Sequence, residues 1–363
     1  MLIHYGMSRK IVFSLCVLLC GALIALNGEA ADAALCGFSL WQNSVMPALL
    51  PFFVCTGLMR KLGLIGLGNP AALMALSFIS GAPGGARLCA GIYGGERDNT
   101  FMAASLNALS PMFITGAFSS SMLRCPQAAI PIVSAQLVSM LIFFIAALKC
   151  APAPARIEPH GEKASIGVLF AASVTEAAAS LISICGMIVF FSVLMRMAEI
   201  IGLLRIIAWP LKQLIVLLGG DGRSAEVIIC AAAEAATGAS RIAEAGLSLR
   251  VAAVIAAFAF SFGGLCIMAQ SMLFMRIDIR KYLICKLAQG MLAALIAYIL
   301  FPLCCKGAKC VTAEPELMET LGQNSLSALA ILACSMAAMG AVMLICAAKA
   351  RLERLKGTGI GRD

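Results

Sequence analysis

Apolar runs separated by short polar or glycine- and proline-rich breaks fill the chain from residue 11 to residue 348. Runs of roughly 17 to 25 residues match the length needed to cross a hydrocarbon core of about 30 Å. They must be helical, because lipid offers no partner to a bare peptide group. The first run covers 11–26 and is followed by an acidic stretch, 27–32; the second covers 40–59 and closes on Arg60 and Lys61. A shorter run, 71–79, stops at Ser80-Gly81-Ala82-Pro83-Gly84-Gly85, which a helix cannot pass undisturbed. A second short arm then ends in the polar segment 94–99. Two short arms about such a break predict a re-entrant hairpin rather than a full span. The run 102–122 is interrupted by Asn107-Ala108-Leu109-Ser110-Pro111, and a further span covers 130–148.

Beyond the polar, proline-containing segment 150–164 the order repeats. Leu58-Met59-Arg60 closes one span as Leu194-Met195-Arg196 closes another. Gly84-Gly85-Ala86-Arg87 aligns with Gly238-Ala239-Ser240-Arg241 at an offset of 154 positions. At that offset the break at 107–110 falls on Ser261-Phe262-Gly263-Gly264, and Ala135-Gln136 pairs with Ala288-Gln289 one position out of step. Four matches in the same order predict a duplication. With an odd number of crossings per repeat, the two copies are inverted, as in many secondary transporters. The expected fold is an all-α polytopic membrane protein with about eight transmembrane helices and two re-entrant helical hairpins. The expected division is an N-terminal helix and loop (1–35), a first repeat (36–150), a cytoplasmic linker (151–164), a second repeat (165–302), and a loop, last helix and basic tail (303–363).

Composition agrees. Apolar residues make up 61% of the chain and charged residues only 12%, half the usual quarter of a soluble protein, and mean hydropathy is +0.98. A net charge of +9 would suggest nucleic acid, but the basic residues cluster at the ends of apolar runs, as cytoplasmic anchors do. Arg196, Arg205, Lys212 and Arg223 fall on the other side in this topology. Residues 1–30 also resemble a signal peptide; an uncleaved first helix is the reading taken here.

The candidate chemistry sits at the breaks. A helix broken in mid-membrane exposes a new N-terminus whose free N–H groups and dipole attract an anion. Ser80, Gly81, Pro83, Gly84 and Gly85 in the first hairpin, and Thr237 and Gly238 in the second, are the expected solute-binding backbone, with the second hairpin's tip at Thr237-Gly238. Arg87 and Arg241 follow the two breaks, where a guanidinium either grips a carboxylate bidentately or anchors the helix at the interface. Glu234 is a carboxylate inside an apolar run, available for proton coupling or for pairing with Arg241. Asn107, Ser110, Pro111, Gly263, Gly264 and Gln270 flank the other two breaks and complete the candidate site. His4 and His160, the chain's two histidines, do not complete a metal spacing with the cysteines, and no phosphate loop or nucleophile motif is present. The expectation is a non-enzyme with no cofactor or metal.

The segments from Ser80 to Arg87, Asn107 to Gly116 (NALSPMFITG), Glu234 to Gly238 (EAATG) and Phe262 to Gln270 (FGGLCIMAQ) resemble, in order, motifs of the YlbJ/SpoVV sporulation membrane proteins, in the wider group with nucleoside-recognition gate domains. The resemblance covers about residues 36–302. Ala82 and Gly84 stand where a bulkier residue and a serine are expected, and Met268 where a histidine is common. The resemblance implies an endospore-forming source, a place in the cell membrane or outer forespore membrane, and passage of dipicolinate, an aromatic dicarboxylate. The implied partners are the bilayer and this solute, with a homo-oligomer as the assembly to test for and no nucleic acid. Other classes carrying the same architecture are a nucleoside or other neutral-solute carrier and a non-transporting assembly factor.

Overall fold

The computed structural model describes residues 2–62, 70–93, 99–150, 164–217 and 219–305. The linker 151–163, the last expected helix at 327–348 and the basic tail lie outside the described residues. Among the described residues all regular structure is helical.

Helix α1 (Leu2–Ala25) meets α2 (Asn27–Leu40) at a bend of 102°. The acidic stretch expected as a loop is therefore the first turns of α2. Glu29 favours a helix N-terminus, and its carboxylate is held by Arg196 at 2.6 Å. A widened turn, Trp41–Val45, leads into α3 (Met46–Lys61), which carries Pro51 in its interior. The first hairpin is α4 (Pro70–Ser80) and α5 (Gly84–Tyr93). With 11 and 10 residues, each arm rises only about 15 Å, half a hydrocarbon core.

Helix α6 (Thr100–Leu106) stops at an extended segment, 107–110, and winding resumes at Pro111 with a π-wound stretch, Phe113–Met122. Helix α7 (Ala129–Cys150) closes the first half. Helix α8 (Ile166–Ile200) runs unbroken for 35 residues, about 52 Å, and is capped by the Ser165 hydroxyl accepting from Val168 N–H. Next come α9 (Leu203–Leu217), the second hairpin of α10 (Ser224–Ala233) and α11 (Ala235–Glu244), then α12 (Leu249–Phe262), α13 (Gly264–Ser271) and α14 (Ile279–Cys304). Asp278 caps α14 by accepting from the N–H groups of Arg280 and Lys281.

Among the described residues, four segments are long and apolar enough to cross a membrane: Pro126–Lys149, Ile166–Ile200, Leu249–Ser271 and Ile279–Cys304; the bent α1–α2 pair makes up to five. The expected run 40–59 is not a single apolar span: it is divided between the widened turn Trp41–Val45 and α3, whose apolar part is Leu49–Met59.

The main core joins the two halves. Phe78, Ile114, Phe118, Ile132 and Phe144 pack with Ala256 and Phe260, all nearly inaccessible. Phe260 stands edge-on to Phe113 and Phe118, with ring centroids 5.8 and 4.9 Å apart. A second cluster joins Leu49 and Phe53 of α3 to Leu181, Ile184 and Ile188 of α8.

Candidate functional site

The first two breaks hold their neighbours through backbone groups that a continuous helix would have used internally. The segment 107–110 is the hub. Ala108 C=O accepts from Ala82 N–H at 2.7 Å, tying the first hairpin's tip to it, and Leu109 N–H donates to Phe260 C=O at 3.1 Å, tying it to the end of α12. The fully buried Gln136 donates to Leu109 C=O at 2.7 Å, and Gln289 donates to Ser105 C=O at 3.2 Å. Asn107 C=O accepts from the Lys286 ammonium, and the Asn107 amide donates to Ser271 Oγ and, at 3.1 Å, to Tyr282 Oη. Freed peptide groups at membrane depth persist only where protein satisfies them, and here named side chains do so.

The glycines make the close approaches possible. Gly81 has φ +69, and a Cβ on it would lie 2.4 Å from Ser110 N. One on Gly85 would lie 2.5 Å from Leu106 O. Gly263 and Gly264 have φ values of +84 and +83, open to glycine and strained for other residues.

The break in the second hairpin lies at Glu234, one turn before the expected Thr237-Gly238. Glu234 is extended (φ −142, ψ 116) and is the N-cap of α11, its carboxylate accepting from Ala236 N–H at 3.0 Å and from Thr237 N–H. Gly238 is inside α11, where it lets the two arms meet: a Cβ would stand 2.3 Å from Ala231 Cα. The carboxylate therefore occupies the helix N-terminus that was expected to receive a solute anion.

A cavity of about 60 Å³ lies where the breaks meet. Ala82 of the first, Leu109 and Ser110 of the second, Glu234 to Ala236 of the third, and Ile267 and Gln270 just after the fourth all line it, with α3 and α8 supplying Leu49, Ile184 and Ile188. Of the residues expected at the site, Ser110, Glu234 and Gln270 line this cavity. Ser80, Gly81, Pro83, Gly84, Gly85, Asn107, Pro111, Thr237, Gly238, Gly263 and Gly264 shape the surrounding breaks.

The two arginines do not converge. Arg87 lies 4.7 Å above the Phe53 ring and 3.9 Å from Glu176, which also pairs with Lys61 at 2.8 Å. Arg241 makes a bidentate pair with Glu199, at 2.9 and 2.6 Å, in a chain that continues through Arg196 to Glu29. Glu176 and Glu199 are 23 positions apart on α8, about 35 Å of helix. The guanidinium groups thus sit towards opposite ends of α8, and Arg241 pairs with Glu199 rather than with Glu234. Arg241 instead lines a second, larger cavity of about 580 Å³ with Lys212, Arg223, Glu226 and Glu244. Hydrogen bonds from Arg223 hold the carboxyl of Asp221, which also lines it, below the usual carboxylate range.

Sequence reasoning missed Lys286, Tyr282 and Ser271. A single lysine two turns inside an apolar run was the available signal, but it was overshadowed by the basic cluster 276–281 just before it.

No family model matches the chain, and no solved structure matches it. The curated sporulation integral membrane protein YlbJ of Bacillus subtilis (strain 168) is 23% identical, over 80% of this chain and 82% of its own length. The chain is similar to YlbJ over most of its length. The alignment spans most of both proteins, so the YlbJ-type likeness is not confined to the short motifs around the breaks. With its long apolar helices, the chain is an integral membrane protein.

Proposed function

We propose that the chain is a membrane transporter that carries a small solute through the cavity where its broken helices meet. The supporting observation is that residues of three chain breaks, and of the helix that follows the fourth, line one cavity that includes Ser110, Glu234 and Gln270. Broken helices surrounding a buried site are the architecture of secondary transporters. An inverted relation of the two halves fits the placing of Arg87 and Arg241 towards opposite ends of α8. Dipicolinate, moving across the outer forespore membrane, is the solute that the YlbJ/SpoVV resemblance implies. In the larger cavity Lys212, Arg223 and Arg241 are offset by Glu199, Asp221, Glu226 and Glu244, so the hydroxyl and amide of Ser110 and Gln270 in the central cavity would receive the solute's carboxylates.

One observation favours a neutral solute, such as a nucleoside: the charged side chain lining the central cavity is an acid, Glu234, engaged with the α11 N-terminus. Uptake into proteoliposomes separates the two. Dipicolinate accumulation above protein-free liposomes, with no uridine accumulation, is the expected result. Uridine uptake alone supports the neutral carrier, and uptake of neither overturns the transport reading.

A further inference from the structure

We propose that Lys286 is the proton-carrying group of the transport cycle, whose ammonium latches the 107–110 break to α14 and whose deprotonation releases it. This rests on the transport reading above. Lys286 is fully buried in a membrane-spanning helix, and its Nζ donates to Asn107 C=O and, at 2.9 Å, to Gln289 Oε1. A buried charge is costly unless compensated. Here the compensating groups are neutral: the carbonyl end of α6, which carries the negative pole of that helix, and an amide oxygen.

The charged groups of the elements packed on α14 lie elsewhere. Helix α6 and the turn Pro126–Ala128 carry none, α7 carries Lys149 in its last turn, and α12 carries Arg250. Arg250 stacks on Tyr298 at 3.8 Å, three turns of α14 beyond Lys286. On α14 itself the titratable neighbours are Cys285 and Tyr282.

Two acceptors serve this nitrogen in either form. An ammonium has three N–H donors and holds both acceptors by charge-assisted bonds; a neutral amine keeps only uncharged, weaker ones, so loss of one proton loosens the latch. The proton is taken from water on one side of the membrane and returned to water on the other, and the nitrogen changes charge by one. Its partner Asn107 belongs to the break whose Leu109 and Ser110 line the central cavity, so charging or discharging this amine acts directly on the cavity wall. Asn107 Oδ1, on the residue whose carbonyl accepts from Lys286, is a buried acceptor with no hydrogen-bond partner among the described residues.

The test uses the full chain in proteoliposomes with dipicolinate as the solute and an internal pH dye. Wild type is expected to accumulate dipicolinate against its gradient when a pH gradient is imposed, and to move protons when dipicolinate is added. Lys286→Met should abolish both yet keep dipicolinate counterflow, which needs no net proton transfer. Lys286→Arg, which keeps the cation and holds its proton, should behave likewise and covers the case in which Lys286→Met fails to insert. Gradient-driven accumulation that survives in either folded variant, or wild-type uptake without proton movement, overturns the proposal. Absence of dipicolinate counterflow in wild type refutes the transport of this solute instead.

Discussion

Replacing Gly238 by alanine is expected to destabilise the protein measurably. The added methyl would stand 2.3 Å from Ala231 Cα, 2.5 Å from its Cβ and 2.9 Å from its N, so backbone rather than a flexible side-chain end must move. Both partners belong to the same hairpin, and separating α10 from α11 displaces the Glu234 cap and the cavity wall beside it. Overpacking of this kind costs about 3 kcal/mol, which lowers the thermal transition by roughly 4 °C in a chain of this size. Gly186→Ala is the matched control. It lies in α8 with nothing within 4 Å of the added atom, and alanine is the better helix former by about 1 kcal/mol. Thermal unfolding in detergent should show the first variant destabilised and the second unchanged or improved; equal transitions would refute the close packing of the hairpin arms.

Ala236→Leu is expected to stop transport while leaving the protein folded. Ala236 lines the central cavity and is 7% exposed. A leucine there reaches into about 60 Å³ of space shared by Ala82, Ser110 and Gln270, at a folding cost of about 1–3 kcal/mol or less. Dipicolinate uptake should fall to the level of protein-free liposomes, with the elution profile in detergent unchanged. Undiminished uptake by the folded variant would place the solute path elsewhere.

The positions of three breaks were legible in the sequence because glycine and proline leave no choice: Gly81 and Gly263 adopt positive φ, and Pro111 restarts a helix after an extended segment. The fourth was displaced by a turn. There the visible glycine, Gly238, serves close packing, while the break itself falls on Glu234, a residue whose carboxylate accepts from N–H groups that a continuous helix would have bonded to its own carbonyls. Helix α2 was illegible for a related reason. Its opening Asn-Gly-Glu-Ala-Ala-Asp is polar enough to read as a loop and becomes helical where it packs on α8 and reaches Arg196.

The arginines illustrate the other limit of sequence reading. Equivalent places in two repeats suggested one shared solute clamp, but if the repeats are inverted, equivalence sends the charges to opposite ends of α8. What they would contact was set by Glu176 and Glu199, and the long-range pairing of those acids has no local signature. Lys286 was the converse case. Its type and its apolar surroundings were in plain view, while its partners lie 179 and 3 positions away.

The most direct test is an experimental structure of the protein in lipid with dipicolinate bound. The solute is expected between Ala82, Ser110, Ala236 and Gln270, with the cavity enlarged to admit it. Dipicolinate bound beside Arg241, with the central cavity closed and empty, would contradict the account.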